Sequence, residues 1–172
     1  MKRNFAEWIA TVFFIGKLPF APGTWASLIA TLAWYFIFND INIYILPLIT
    51  FSLFILGIIS SNIIIDDSKE HDPSRIVIDE WVGQWLAFTM LPVTIKTGLI
   101  GFIAFRFFDI LKPGPIKKIE KLPKGLGVMA DDLLAGIFAY FTIIFYYWFC
   151  RSRTLTSFYT KLIRLSRNIF DF

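Results

Sequence analysis

The chain has 172 residues, 56% hydrophobic and only 17% charged, with a mean hydropathy of +0.64 and a formal net charge of +4. A water-soluble globule of this size could not cover so many apolar side chains, so the composition points to a membrane protein. The length suits one domain, no Ser/Gly-rich linker or repeat divides it, and a single cysteine, Cys150, excludes an intramolecular disulfide.

Residues Asn4–Ile15 read as a short amphipathic-to-apolar segment lying in the membrane interface, with Trp8 as its aromatic anchor. The stretch Ala6–Phe20 is not expected to be a cleavable signal, because Gly16, Lys17 and Pro19 break it and no small-residue cleavage site follows. In GKLPFAPGT, Pro22-Gly23 is turn chemistry and Thr24 is expected to cap a helix over Trp25–Phe38. Such a helix start can receive an anion on its free N–H groups, although an ordinary capped helix is the blander reading.

After a polar break at Asn39–Asn42, Ile41–Ile65 is nearly uncharged and exceeds the roughly 20 residues that a membrane-crossing helix needs. Asp66–Arg75 reads as a charged loop, and Ile76-Val77-Ile78 leads from it into Asp79-Glu80. Trp81–Phe108 is apolar but interrupted at Pro92 and Lys96. Each half is about a dozen residues, roughly 16–18 Å of helix, too short for a hydrocarbon core of about 30 Å. A single tilted crossing would separate Asp79 and Glu80 from Asp109, whereas a re-entrant or shallow hairpin turning at Pro92–Lys96 returns them to one side. The hairpin is the expectation. Lys112–Lys124 reads as a basic loop with three prolines, Gly125-Leu126-Gly127 as a flexible approach, Asp132–Phe149 as a last apolar helix, and Arg151–Phe172 as a basic tail.

The basic residues concentrate in Lys2–Arg3, Lys112–Lys124 and Arg151–Arg167, and none lies in Asn39–Thr50. That bias puts the basic segments on a cytoplasmic face beside anionic lipid. An odd number of crossings would leave the tail on the other side, against the same bias.

The stretch from His71 to Gly136 gathers Asp72, Asp79, Glu80, Asp109, Asp131 and Asp132 beside Arg106 and Lys112. Carboxylates between apolar runs cost several kcal/mol each unless their charge is compensated. Arg106 and Asp109 are three residues apart, share a helical face and could simply form an ion pair. At a helix start the dipole favours Asp131 and Asp132, and one of them could cap it, but capping does not explain both. Several oxygen ligands and no cysteine pair suit a hard cation such as Mg²⁺, and Arg106, Lys112 and Lys117 beside it suit a phosphate substrate. His71, the only histidine, is either a solvated loop residue or a phosphate contact and proton donor.

These residues resemble the phosphatidylglycerophosphatase A family of bacterial lipid phosphatases. The motifs are APGTW at Ala21–Trp25, HD at His71–Asp72, IVIDE at Ile76–Glu80 with Gly83, FRxxDxxKPxP at Phe105–Pro115 and GxGVMxDDxxAG at Gly125–Gly136. They stand in order within residues 1–150, leaving the tail 151–172 outside the resemblance. Ala26 stands where the family commonly has Gly, and Gly114 where a large residue is common. The resemblance implies an all-helical, multi-pass bundle in the bacterial inner membrane, with short or re-entrant helices and a carboxylate-rich site at the cytoplasmic side. It also implies Mg²⁺-dependent hydrolysis of phosphatidylglycerophosphate to phosphatidylglycerol and phosphate, with membrane lipid rather than nucleic acid as partner. On that reading Asp79, Glu80, Asp131 and Asp132 hold the metal, Arg106 and Lys112 clamp the phosphate, and either a metal-activated water or Asp109 attacks. A membrane ion or proton transporter using buried carboxylates is the alternative. A CDP-alcohol phosphotransferase is excluded by the lack of its spaced Asp-Gly, Ala-Arg and paired-Asp signature.

Overall fold

The apolar runs fold as helices wherever proline, glycine or a charged pair does not stop them. The computed structural model describes residues 3–68 and 73–170, the last stretch, 152–170, as helical backbone only, and among these residues there is no strand. The described helices are α1 (Arg3–Ala10), α2 (Pro22–Phe38), α3 (Leu46–Ser68), α4 (Ile78–Ala87), α5 (Ile95–Leu111), α6 (Gly114–Ile119) and α7 (Lys124–Phe170).

Several helix boundaries differ from the sequence reading. α2 begins at Pro22, since proline's fixed φ and missing N–H suit the first helical turn. Ala21 enters it with φ 48°, so Thr24 lies inside the helix and is not its cap. α3 starts later than expected, at Leu46-Pro47, and runs on through Asp66 and Asp67. Ion pairs from Asp66 to Lys124 (2.8 Å) and from Asp67 to Arg3 (3.1 Å) keep those acids in helix where a loop was expected. The basic stretch after Lys112 holds α6, which starts with Pro115 in its first turn and is anchored by the fully buried Ile116.

The expected hairpin is present. α4 stops at Ala87, Met90 adopts φ 58°, and Thr94 caps α5 by accepting a hydrogen bond from the Thr97 N–H at 3.1 Å. Its arms are unequal, ten and 17 residues, because the exposed Lys96 fits into the first turn of α5 instead of preceding it.

α7 is the hub, packing on α3, α4, α5 and α6. It starts at Lys124, so Gly125 and Gly127 belong to its first turns and are not a flexible approach. Gly125 is demanded there: its N–H donates to Asn62 Oδ1 at 2.9 Å, and a Cβ would stand 2.8 Å from the Ile58 carbonyl of α3. Deeper in the bundle Trp85 Nε1 donates to the Ala30 carbonyl at 2.9 Å, and Trp34 stacks on Phe88 at 4.1 Å, tying α2 to α4.

Two helices, over Leu46–Asp67 and Lys124–Arg151, are long and apolar enough to cross a membrane. Large apolar side chains face outward, among them Phe36, Phe51, Ile103 and Phe145, while Ser27, Ser60, Gln84 and Thr97 are fully buried. A surface of that kind suits a lipid surrounding better than water. α2, α4 and α7 start at one pole, where α3 and α5 end. Most charged side chains gather there, whereas at the opposite pole the described residues hold Asp40 in the turn 39–45 and Lys96 in the first turn of α5. The backbone of α7 runs on as helix past Arg151 to Phe170, so the basic tail is a continuation of the last apolar helix.

Candidate active site

Two glycines bring the acids together. On α7 a Cβ at Gly136 would overlap the Gly83 carbonyl of α4, and on α4 a Cβ at Gly83 would stand 2.5 Å from the Asp132 carbonyl oxygen. Only a Gly-on-Gly crossing lets the helices approach so closely, and it sets Asp79 and Glu80 of α4 against Asp132 of α7. The start of α2 closes from a third side: a Cβ at Gly23 would collide with Glu80 Oε1 and lie 3.4 Å from Arg106 Nη1. α5 closes from a fourth side with Arg106 and Asp109, one turn apart on the same face.

The result is a cavity of about 280 Å³ lined by Pro22, Gly23, Ser74, Asp79, Glu80, Arg106, Asp109, Lys112, Asp131 and Asp132. One carboxylate oxygen each from Asp79, Glu80 and Asp132 lies within 4.8 Å of the other two. Asp131, expected with them, turns to Lys112 instead (2.7 Å), and Lys112 also pairs with Glu120 at 2.8 Å. Neither Asp131 nor Asp132 caps a helix, since α7 begins seven residues before Asp131, at Lys124. Arg106 forms the expected ion pair with Asp109 and reaches Ser27 Oγ at 3.5 Å.

The electrostatics of this cluster are unbalanced. Burial, then the neighbouring Glu80, pushes the Asp79 carboxyl well above its ordinary value, and burial likewise raises that of Glu80. Burial draws the Lys112 ammonium down, but its hydrogen bonds to Asp131 and Glu120 outweigh that and hold it above its ordinary value. Among the described residues, Glu80 Oε2, Arg106 Nε and both amide atoms of Gln84 are buried without a hydrogen-bond partner. Buried polar atoms are rarely left so. The acceptor on Glu80 suits a cation and the donor on Arg106 suits an anion, so the site has the character of a paired receptor for a hard divalent ion and a phosphate.

His71 and Asp72 lie outside the described residues, though the chain reaches the cavity wall soon after them, at Ser74. Lys117 is exposed on α6 and does not line the cavity. The sequence reading missed Glu120, which pairs with Lys112, and Ser27, which Arg106 reaches. Helical spacing could have suggested Ser27, four residues after Gly23. Glu120 carried no such signal, since it lay in a stretch read as loop.

The family model for phosphatidylglycerophosphatase A matches residues 8–147. A Haemophilus influenzae protein named phosphatidylglycerophosphatase A is 37% identical over 143 residues, covering 81% of this chain and 88% of the relative. An Escherichia coli K12 protein of the same name is 33% identical over 132 residues, covering 75% of this chain and 76% of the relative. A Bacteroides thetaiotaomicron protein, provisionally named a phosphatidylinositol-3-phosphatase, is 35% identical over 147 residues, covering 81% and 92%. No solved structure matches the chain.

Proposed function

The chain belongs to the phosphatidylglycerophosphatase A family, and from that premise we propose that it hydrolyses phosphatidylglycerophosphate to phosphatidylglycerol and inorganic phosphate in a Mg²⁺-dependent reaction. The observation that carries this reading is the triad of oxygens from Asp79, Glu80 and Asp132, all within 4.8 Å of one another, in the same cavity as Arg106 and Lys112.

The residues fit the ion. All three ligands are hard carboxylate oxygens, and the buried, unpartnered Oε2 of Glu80 is an acceptor that a cation satisfies. Bound there, Mg²⁺ would supply positive charge to the phosphate oxygens and a more acidic water. Arg106, with a free Nε, and Lys112 hold the remaining phosphate oxygens. Asp131 and Glu120 keep Lys112 at the cavity wall. Asp109 fixes Arg106 and is placed either to attack phosphorus itself or to take a proton from the attacking water. By either route the bond from phosphorus to the terminal glycerol oxygen breaks, and that oxygen takes up a proton, for which His71 is the candidate donor; on the first route a water then cleaves the acyl phosphate on Asp109, releasing inorganic phosphate and restoring the carboxylate.

The charged pole also carries Arg3, Lys17, Arg75, Lys117, Lys118, Lys121 and Lys124, which supports a cytoplasmic orientation for the site in a multi-pass inner-membrane protein. A transporter is disfavoured, because the acids cluster at one pole with cations and do not line a path between the poles. The provisional name of the Bacteroides relative makes head-group choice the informative experiment. Purified protein is given phosphatidylglycerophosphate and, separately, phosphatidylinositol 3-phosphate in mixed micelles with Mg²⁺, and released phosphate is measured. Preferential turnover of the first is expected, and turnover of the second alone would overturn the substrate assignment.

A further inference from the structure

Below the polar cavity the same two helices continue as an apolar groove. The cavity takes Pro22 and Gly23 from α2 and Arg106 and Asp109 from α5. Deeper along both helices, Leu28, Leu32 and Phe36 face Phe102, Leu99 and Ile95 across a groove of about 230 Å³. Gly98 lies in its floor, where a Cβ would make ordinary contact with Thr31 Cγ2 at 3.5 Å and with the Trp34 ring at 3.7 Å. Ser27 Oγ and Arg106 Nη1, 3.5 Å apart, meet across the seam at the junction of cavity and groove. The groove opens to the outside, with Leu32 47%, Leu99 59% and Phe36 71% exposed.

We propose that this α2–α5 groove binds one acyl chain of the lipid phosphomonoester, so that the chain lies between the two helices while the phosphate occupies the cavity above Arg106. The proposal rests on the phosphatase reading. A lipid's head group and tails are one molecule, so a head group among buried carboxylates needs an exit for its tail that desolvates no polar group. The α2–α5 seam is such an exit: it leads from Arg106 into the groove, whose lining is apolar apart from Thr31 and Tyr35. From Leu28 to Phe36 it runs along about 12 Å of helix, enough to align a stretch of acyl chain. The larger apolar pocket between α1, α3 and α4 takes no residue from α2 or α5, and so has no seam to Arg106.

The acyl chain is already in an apolar medium, so the groove adds little hydrophobic free energy. Its contribution is orientation: a chain fixed between α2 and α5 limits the angles at which the phosphate enters, and misplacement of reacting groups by about 1 Å can cost roughly a hundredfold in rate.

The test fills the groove without touching the cavity. Leu32→Trp and Leu99→Trp are combined in the full-length protein, and phosphate release is compared on dioleoyl phosphatidylglycerophosphate and on its dibutanoyl analogue, whose chains are too short to reach Leu32. Turnover of the dioleoyl lipid is expected to fall roughly ten- to a hundredfold, with the dibutanoyl rate close to wild type. Phe51→Trp, on the outward face of α3 and lining neither the groove nor the cavity, is expected to keep both rates. Equal rates for the double variant and wild type on the dioleoyl lipid would overturn the proposal, as would an equal loss on both substrates. Phosphate release from neither substrate by the wild type would remove the phosphatase reading itself, and the groove assignment with it.

Discussion

Asp131 and Asp132 are adjacent in sequence and face different partners. Asp132 joins Asp79 and Glu80, whereas Asp131 neutralises Lys112. Sequence alone put the four acids in one region but could not divide them, because the division depends on which face of α7 meets α4 and which meets the end of α5. Asp132→Asn is expected to abolish Mg²⁺-dependent phosphate release while the protein still inserts and folds. Asp131→Asn is expected to keep the stabilisation that Mg²⁺ confers and to raise KM, because Lys112 loses one of its two carboxylates; loss of that Mg²⁺ effect would show Asp131 to be a ligand. The raised values of Asp79 and Glu80 give a pH signature. Carboxyls whose folded value lies above their unfolded one favour folding at low pH and lose that contribution as pH rises through the folded value. Mg²⁺ binds the ionised forms and offsets the loss, so its effect on Tm is expected to be larger at pH 8 than at pH 5.5, as differential scanning fluorimetry would read. A pH-independent Mg²⁺ shift would contradict this assignment.

The crossing of α4 and α7 sets the geometry that the acids need. Gly136→Leu would drive a side chain into the Gly83 backbone, and overpacking of that kind costs roughly 1–3 kcal/mol. It is expected to lower Tm and to abolish phosphate release even though no carboxylate is touched; a fully active variant would show that the close crossing is dispensable. The α4–α5 hairpin was legible because Pro92 interrupts two runs that are each too short to span, and because only a turn there returns Asp79, Glu80 and Asp109 to one side. The start of α7 was not, since Gly125 and Gly127 read as helix breakers. Their glycines serve instead to let α7 approach Ile58 and the turn at Glu120–Leu122, a tertiary demand that overrides local propensity. α6 was hidden for a related reason: three prolines suggest loop, yet Pro115 in a first turn starts a helix.

At the scale of the whole molecule, large apolar side chains cover the outside, polar side chains such as Ser60 and Gln84 lie among the apolar ones of the core, and most charges gather at one pole. Composition and the asymmetry of Lys and Arg carried most of that arrangement. The basic tail, which the Lys and Arg asymmetry draws to one side and an odd count of crossings to the other, was the one part in conflict; it continues α7 as unbroken helix. Cysteines placed singly at Lys117 and Asp40, in a Cys150→Ser background, are expected to label from opposite faces of inverted and right-side-out vesicles, with Lys117 on the cytoplasmic face. Labelling from the same face would contradict the two-pole arrangement. The central claim, that Asp79, Glu80 and Asp132 form a cation site driving phosphate release, is tested most directly by titrating Mg²⁺ into purified wild-type and Asp132→Asn protein with phosphatidylglycerophosphate and following free phosphate. Saturable, Mg²⁺-dependent release by the wild type and none by the variant is the expected result. Equal release by both, or release by the wild type undiminished in excess chelator, would contradict it.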